Sequence, residues 1–313
     1  MNLVSPAYAR PRPEGRQVTV IGNPLSYGCG LAGVELGPAM IRLTGLLERI
    51  AELGYEVRDA GDLKIPPPQA GEQPLRHLTE IVAVCEAAAR TVARQLEREA
   101  LPVILGGDHS VALGSITGVA AHHREAGLET GLIWFDAHAD MNTHETSPSG
   151  NIHGMPLAAL LGHGHPDLVG LGGFSPKLQP QHCAHLGARD IDAGERELIR
   201  RLGIRFYTMR EIDERGMATC VREALAIASR ASGGYVVTFD IDAMDPHLAP
   251  GSGTLVRGGL TYREAHLALE LIHEAGGMCA LEMVEVNAKL DVNNHTAELA
   301  TELILSALGK SIL

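Results

Sequence analysis

Three short segments of the sequence combine carboxylate and imidazole side chains at close spacing. They are GGDHS at 106–110, DAHAD at 136–140 and DIDAMDP at 240–246. Each segment follows a short apolar run that is typical of a buried strand, so each is expected at the carboxyl end of a strand. Proteins with parallel sheets usually carry their catalytic and binding residues at that end. The three segments are therefore the first candidates for a functional site.

The spacing within these segments predicts that their side chains converge. Residues two apart on an extended chain face the same way, so Asp136, His138 and Asp140 can point into one cavity, and Asp240 can do the same with Asp242. Four carboxylates this close cannot all stay ionised in a partly buried site unless cations neutralise them. Two divalent cations would balance the four charges, and a ligand set of oxygens with a minority of imidazoles favours Mn²⁺.

Each aspartate also has a simpler interpretation as a helix N-cap or a turn former. Aspartate is common at strand–helix junctions for that reason, and Asp136 and Asp240 both lie at such positions. This interpretation is stronger for a single aspartate than for three segments that all follow predicted strands. We therefore predict a two-metal site.

The rest of the chain predicts the frame that would bring these segments together. Short apolar runs alternate with stretches of helical period, as in an α/β protein with a parallel sheet. The runs cover 18–21, 103–105, 132–135, 204–207, 235–239 and 278–286, with weaker candidates at 56–58 and 182–186. Helices are predicted over 39–53, 78–96, 262–275 and 296–308. This pattern alone leaves a closed eight-fold barrel and an open three-layer sheet as alternatives.

The overall composition is that of a folded protein with an acidic balance. The chain has 313 residues, and the 45% of them that are hydrophobic exclude a disordered chain. Its formal net charge of −12 argues against a nucleic-acid-binding role. It has no apolar run long enough for a transmembrane helix, and residues 1–17 lack the apolar core of a signal peptide. The five scattered cysteines are interpreted as buried thiols in a reducing compartment. We therefore predict a cytoplasmic protein that binds neither nucleic acid nor membrane.

No linker divides the chain. Residues 1–313 are therefore expected to form a single domain, because no composition shift or low-complexity tract interrupts the alternation of strands and helices. The Pro-rich stretch at 66–73 is expected to be a surface loop.

Considered together, the segments GGDHS, DAHAD and TFDIDAMDP (238–246) resemble the three signature blocks of the ureohydrolases. That family includes arginases, agmatinases and formimidoylglutamases. The resemblance runs from about Val18 to Lys310, nearly the whole chain. It implies an open three-layer α/β/α fold with a central eight-stranded parallel sheet, and a binuclear manganese centre that hydrolyses a guanidinium group. It also implies a homotrimer or a homohexamer.

The resemblance assigns the metal ligands residue by residue. Those of one Mn²⁺ would be His109, Asp136, Asp140 and Asp240, and those of the second Mn²⁺ would be Asp136, His138, Asp240 and Asp242. Asp136 and Asp240 would thus bridge the two ions. A hydroxide held between the ions would attack the guanidinium carbon.

The same resemblance implies the catalytic residues beyond the metal ligands. His153 would move protons, as a loop histidine of near-ordinary pKa, and Glu285 would bind the guanidinium. Asp140 is counted with these two as a catalytic residue. Strand alternation predicts that Glu282, three residues before Glu285, faces elsewhere.

The predicted substrate loop resembles the arginase branch of the family. The residues implied at the α-carboxylate are Asn142, Ser149 and Asn151, with some contacts through water. The residues implied at the α-amino group are Asp192 and Glu195, and Thr254 would add a hydroxyl near the guanidinium. Each of these residue types is common in turns, so only their combined order favours L-arginine as the substrate, with L-ornithine and urea as products.

Three other functions stay open at this point. An agmatinase or guanidinobutyrase would not need the α-carboxylate contacts. A non-enzymatic scaffold that binds arginine or metal would keep the fold. A two-metal phosphoesterase would need a basic group that faces phosphate, and Arg189 is the only candidate near the segments.

Overall fold

A computed structural model of the chain describes residues 15–69 and 75–311. Its centre is one sheet of eight strands, all parallel. The strands are β1 (Gln17–Asn23), β2 (Glu56–Asp62), β3 (Leu101–Gly106), β4 (Gly131–Phe135), β5 (Cys183–Ala188), β6 (Arg205–Thr208), β7 (Tyr235–Asp240) and β8 (Met278–Val284). Their order across the sheet is β2-β1-β3-β8-β7-β4-β5-β6.

Helices cover both faces of this sheet. They are α1 (Gly37–Leu43), α2 (Leu46–Glu52), α3 (Leu78–Glu97), α4 (Ala112–Glu125), α5 (Pro156–Leu160), α6 (Pro166–Val169), α7 (Ala193–Leu202), α8 (Met209–Arg215), α9 (Met217–Ala228), α10 (Tyr262–Ala275) and α11 (His295–Ala307). One apolar core joins the sheet to α1, α2 and α8–α11, and a second core joins it to α3–α7. The open three-layer α/β/α fold is therefore confirmed, and the closed barrel is excluded.

The burial of the strands follows their place in the sheet. Every residue of β3, β4, β5 and β7 is buried, because helices cover both faces of these inner strands. The edge strand β2 is polar and almost entirely exposed, which explains its weak signal in the sequence. All eight predicted strands are present, including both weaker candidates.

One helix prediction is wrong. The stretch 39–53 forms two helices, α1 and α2, because Gly45 adopts a left-handed backbone conformation (φ +79°) that breaks the helical hydrogen bonding between them. The predicted helices at 78–96, 262–275 and 296–308 are confirmed to within a residue at each end, as α3, α10 and α11. Helices α4 to α9 were not singled out from the sequence.

Smaller expectations have mixed outcomes. Three cysteines are buried, whereas Cys29 and Cys279 are partly exposed, and all five are free thiols. Residues 66–69 have no regular structure, while 70–73 lie outside the described residues, as does most of the segment 1–17. Among the described residues, no helix is long and apolar enough to span a membrane.

The strand order places the candidate residues together. Strands β3, β8, β7 and β4 are consecutive neighbours in the middle of the sheet. The three predicted segments follow β3, β4 and β7, and Glu285 follows β8. Because all strands run in the same direction, these residues meet at one edge of the sheet.

Candidate metal centre

The segment after β3 is held by a buried aspartate. Asp108 caps a short 3₁₀ turn (His109–Val111), and its carboxylate accepts hydrogen bonds from the backbone N–H groups of Ser110 and Gly28. These contacts satisfy backbone donors that would otherwise be unpaired in the interior. They place the imidazole of His109 inside the protein, where it is 1% exposed.

The segment after β4 converges for a different reason from the predicted one. Residues 136–140 are not an extended strand, so alternation does not explain their arrangement. Instead the chain turns, with Asp136 Oδ1 accepting from the backbone N–H of His138 at 2.7 Å. Asp140 then adopts a left-handed backbone conformation (φ +52°) that directs its side chain back toward Asp136 and His138.

The segment after β7 also turns at once. Asp242 lies in a 3₁₀ turn (Ile241–Ala243), and its backbone N–H donates to Asp240 Oδ1 at 2.8 Å. The N-cap interpretation of Asp240 therefore holds, and so does the cluster interpretation, because the second oxygen of Asp240 faces His109. Asp240 therefore stabilises the turn with one carboxylate oxygen and contacts the cluster with the other.

Six side chains meet in two overlapping groups. His109 Nδ1 lies 3.1 Å from Asp136 Oδ2 and 3.2 Å from an oxygen of each of Asp140 and Asp240. His138 Nδ1 lies 3.4 Å from Asp136 Oδ1 and 3.1 Å from Asp242 Oδ2. Asp136 belongs to both groups. The structure thus brings together all six side chains that the sequence proposed as ligands.

These distances fit the ligand shells of divalent cations. Ligands bonded to one cation at about 2.1 Å are about 3 Å from one another when they are adjacent in an octahedral shell. Two buried atoms of the first group, His109 Nδ1 and Asp140 Oδ2, have no hydrogen-bond partner among the described residues. Buried polar atoms rarely stay unpaired, so a bound cation would account for both.

The pKa shifts of the cluster carboxylates also indicate a cation site. Burial and the charge of Asp136 raise the pKa of Asp140 well above its usual range, and burial with the charges of Asp242 and Asp136 does the same for Asp240. For Asp136, burial is outweighed by the neighbouring imidazoles of His109 and His138, which hold its pKa well below the usual range. Protons thus act as counter-charges in the cluster, and divalent cations would displace them.

Comparison with known proteins places this geometry in a family. A model described as the arginase family matches residues 16–309. The arginase of Bacillus caldovelox is 44% identical over 302 residues, which cover 95% of this chain and 100% of that protein. The chain belongs to the arginase family. The prediction of a ureohydrolase-type enzyme, a hydrolase, is therefore confirmed.

Solved structures of the family have the same fold. The crystal structure of Bacillus subtilis arginase superposes with a TM-score of 0.89 at 45% identity, and covers 95% of this chain and 100% of its own. The native structure of Bacillus caldovelox arginase gives a TM-score of 0.91 at 43% identity with the same coverage.

A relay of buried polar groups supports the metal centre of this arginase-family protein from behind. His109 Nε2 lies 3.0 Å from Thr238 Oγ1, and the Thr238 hydroxyl lies 2.8 Å from Glu282 Oε2, to which it donates. Since that hydroxyl proton is used on Glu282, Thr238 accepts from His109 Nε2–H, which leaves the Nδ1 lone pair of a neutral imidazole for a cation. The second oxygen of Glu282 accepts from the hydroxyl of Ser115.

This relay was not predicted from the sequence. Alternation correctly keeps Glu282 out of the pocket, but it does not show that Glu282 lies behind His109. The signal available in the sequence was an acid and a threonine inside apolar strands. Both residues are fully buried, and buried polar groups need hydrogen-bond partners. Trp134 was also missed: its ring stacks on His109 with centroids 4.2 Å apart, and its Nε1–H donates to Asp136 Oδ2.

Glu282→Gln is expected to weaken the affinity for Mn²⁺ by about 10- to 100-fold, because groups that orient a ligand histidine contribute on this scale. The amide could donate to Thr238 and so reverse the direction of the relay. Calorimetric titration of the metal-stripped protein with Mn²⁺ measures the change. The control is Glu298→Gln, an exposed acid on α11. Equal affinities for Mn²⁺ in the two variants would show that the relay does not orient His109.

A pocket opens above the cluster, and most of the predicted site residues line it. Its wall combines ligand candidates with the loop 142–154 and the start of α7. The lining residues predicted from the sequence are His109, His138, Asp140, Asn142, Ser149, Asn151, His153, Asp192, Glu195, Asp240 and Thr254. Asp190 and Ser147 also line it and were not predicted.

Glu285 joins two parts of this site. One oxygen, Oε1, accepts from the backbone N–H of His109 at 2.9 Å and lies 3.0 Å from His153 Nδ1. The left-handed conformation of Glu285 (φ +62°) ends β8 before the predicted boundary and turns the side chain toward these partners. Glu285 does not line the main pocket but a neighbouring cavity beside Thr254, and His153 lines both.

The expected ordinary pKa of His153 is wrong. Burial alone would lower the pKa of this imidazole, but the hydrogen bond to Glu285 and the charges of Glu285 and Asp108 outweigh burial and raise it to about 9. Its backbone N–H donates to Gly28 O, which fixes the loop. His153 is therefore protonated at neutral pH.

The substrate-loop residues are partly engaged with one another. Asn142 Nδ2 donates to Asp192 Oδ2 at 2.9 Å, so one of its two amide hydrogens stays free for a ligand. Glu195 is buried and accepts from the backbone N–H groups of Met141 and Asp192, one on each oxygen. The Thr254 hydroxyl donates to Asp242 Oδ2. Glu195 thus joins two loops, whereas Asp192 stays exposed at the pocket.

Arg189 does not face the pocket. Its guanidinium donates to the backbone carbonyls of Gly187, Asp242, Ala243, Met244 and Val256. These contacts use its N–H donors and connect the Asp242 turn to the loop that carries Thr254. Arg189 therefore has a structural position, and the basic group that a phosphoesterase would need is not supplied by it.

Proposed function

We propose that this protein is a manganese-dependent arginase that hydrolyses L-arginine to L-ornithine and urea. The observation that carries the proposal is the convergence of two imidazoles and four carboxylates at the base of a pocket lined by the substrate loop. Arginases from two Bacillus species are 44% identical over 95% of the chain.

Two Mn²⁺ ions would occupy the centre. The first would be held by His109, Asp136, Asp140 and Asp240, and the second by Asp136, His138, Asp240 and Asp242. An oxygen-rich donor set with few imidazoles favours Mn²⁺ over Zn²⁺. When bound, such a pair supplies a water of lowered pKa that can act as a nucleophile at neutral pH.

The protein's own groups would bind the guanidinium and move the proton. The Glu285 carboxylate matches a planar cation, because it can accept two N–H hydrogen bonds. His153 is protonated and lies beside Glu285, so it is placed to give a proton to the departing amino group. The Thr254 hydroxyl donates its proton to Asp242, so toward a bound guanidinium its oxygen would act as an acceptor.

The far end of the substrate would be recognised by the loop above the cluster. Ser149 Oγ accepts from the backbone N–H of Asn151, which leaves its hydroxyl proton free to donate to a carboxylate. The free amide hydrogen of Asn142 can do the same. Asp192, with Glu195 positioning its loop, offers an anionic partner to the α-amino group.

Several further expectations extend the proposal. By resemblance to the family, the protein would be a single domain over residues 1–313 that assembles as a homotrimer or homohexamer. We also infer a cytoplasmic location from its free cysteines. L-arginine is then its small-molecule partner, and no nucleic acid or membrane partner is proposed.

Urea release tests the proposal directly. The protein is stripped with a chelator, reloaded with Mn²⁺ and assayed with L-arginine and with agmatine, which lacks the α-carboxylate. We expect urea from L-arginine, only after reloading, and little from agmatine. Urea mainly from agmatine would contradict the α-carboxylate assignment while keeping the metal chemistry. Urea from neither would contradict the arginase proposal and favour another guanidino substrate or a binding scaffold.

A further inference from the structure

One cation lies beside the substrate loop and has no role in the proposed site. The guanidinium of Arg76 donates a hydrogen bond to Asn151 Oδ1, across 75 residues of sequence. Asn151 lines the main pocket and also the neighbouring cavity beside His153 and Glu285. Arg76 therefore touches the wall of the pocket at the residue proposed to bind the α-carboxylate.

This contact fixes which way the Asn151 amide points. A guanidinium has only donors, so the atom that faces Arg76 must be the amide oxygen. The NH₂ group of Asn151 is then directed away from Arg76 and is available to donate to an acceptor. Without Arg76, the amide could present either end to the pocket. Arg76 thus selects the orientation that recognises a carboxylate.

The position of Arg76 is set by its neighbours. The next residue, His77, precedes α3 and packs against Tyr27, with ring centroids 4.8 Å apart and the rings tilted by 30°. Tyr27 is followed by Gly28, whose carbonyl accepts from the backbone N–H of His153. The start of α3 and the substrate loop are therefore held against the same short segment.

The charge of the pocket gives Arg76 a second effect. Described residues lining it include the acids Asp140, Asp190, Asp192, Glu195 and Asp240 and the protonated His153, and include neither lysine nor arginine. Cations in the metal centre would balance the charges of the ligand carboxylates, but not those of Asp190, Asp192 and Glu195 at the start of α7. A ligand carboxylate would be repelled by these acids, and a guanidinium beside Asn151 offsets that repulsion.

We propose that Arg76 is a specificity-determining residue that positions Asn151 and favours ligands with a carboxylate at the end remote from the guanidinium. This inference rests on the proposed function, because it names the group that the same site would recognise. Arg76 acts through Asn151 and through its charge, so it is a positioning residue and not a catalytic one.

The test compares two ligands that differ only in the carboxylate. In the Mn²⁺-loaded full chain, inhibition constants are measured for L-ornithine and for 1,4-diaminobutane in the wild type and in Arg76→Gln, alongside kcat and KM for L-arginine. We expect Arg76→Gln to raise KM for L-arginine and the inhibition constant of L-ornithine by about 3- to 10-fold, the scale for one charged contact at an exposed edge. The inhibition constant of 1,4-diaminobutane and kcat should change less than about 2-fold.

Two further variants separate specificity from structure. Arg76→Lys keeps the charge and a donor and should recover part of the loss. The control, Arg90→Gln, removes an exposed arginine on α3 that pairs with Glu86, and should leave every constant unchanged. Equal changes for both inhibitors in Arg76→Gln, or no change for either, would overturn the inference.

Failure of the arginase proposal can be distinguished from failure of the inference about Arg76. If the wild type releases no urea from L-arginine, the arginase proposal fails, whatever the Arg76 variants do. The dissociation constants of L-ornithine and 1,4-diaminobutane, measured by calorimetry, then still decide the inference. A ratio of the two constants that is the same in wild type and Arg76→Gln would overturn it.

Discussion

Asp240→Asn is expected to lower kcat for L-arginine hydrolysis by about 1,000-fold or more. The amide keeps the volume of the side chain, and its oxygen can still accept from the backbone N–H of Asp242. It loses the negative charge on the atom that lies 3.2 Å from His109 Nδ1, and with it the charge with which Asp240 would help to hold the cations. A metal centre contributes several kcal/mol to the transition state, and each 1.36 kcal/mol is tenfold in rate.

The measurement pairs kinetics with metal content. Urea release is followed at saturating Mn²⁺, and bound manganese is counted per chain; we expect the variant to bind less metal as well as to turn over more slowly. Asp245→Asn is the matched control, because Asp245 makes turn contacts with His247, Gly258 and Gly259 and lies outside the cluster. Retention of a tenth of wild-type kcat by Asp240→Asn, with full metal content, would rule out a bridging role.

Glu285→Gln is expected to lower kcat/KM for L-arginine by about 100- to 1,000-fold. The carboxylate accepts from His109 N–H and from His153, and would accept from the substrate guanidinium. The amide is nearly the same size, so the variant removes charge without opening a cavity. Charge-assisted hydrogen bonds in a water-poor site are about twice as strong as neutral ones, and several are lost together.

The pH profile gives this prediction a signature of its own. In the wild type the Glu285 contact raises the pKa of His153 to about 9, so the imidazole stays protonated through neutral pH and loses its proton as pH rises through 9. If His153 donates a proton to the leaving group, kcat declines over that range. In Glu285→Gln the pKa of His153 falls, because the anionic partner is gone, and the decline moves to lower pH.

The control is again Glu298→Gln, which removes an exposed carboxylate from α11. It should leave both kcat/KM and the pH profile unchanged. If Glu285→Gln disturbs only the contact with the His109 backbone, metal affinity drops while the pH profile keeps its wild-type position. That outcome would contradict the assignment of Glu285 to the guanidinium and to His153.

Much of the fold was predictable because the signals for it are local. Strand β4 and its neighbours are continuous apolar runs, and α10 has both a helical period and an N-cap threonine at Thr261. The break at Gly45 was not predicted, because an apolar pattern continues across it in register. A glycine is compatible with a helix, and only the packing of the surrounding chain selects its left-handed conformation.

The composition of the candidate site was also predictable, whereas its internal geometry was not. All six proposed ligands converge, yet the convergence comes from turns after the strands and from the left-handed Asp140, not from strand alternation. The relay from His109 to Glu282 joins residues 173 positions apart, one in the turn after β3 and one in the neighbouring strand β8. The order of these strands cannot be read from any single segment of the sequence. The raised pKa of His153 depends in the same way on Glu285, 132 positions away.

By itself, the sequence determined the residue types at the ends of the strands, and with them the demand for divalent cations. It also determined the α/β alternation, since helical and strand periods are properties of a short stretch of chain. Only the tertiary structure decided which side chains face one another: Arg76 against Asn151, Arg189 against five backbone carbonyls, and Glu285 against His153. These contacts depend on the order of strands and the direction of turns, which are set by the packing of the whole chain against both faces of the sheet.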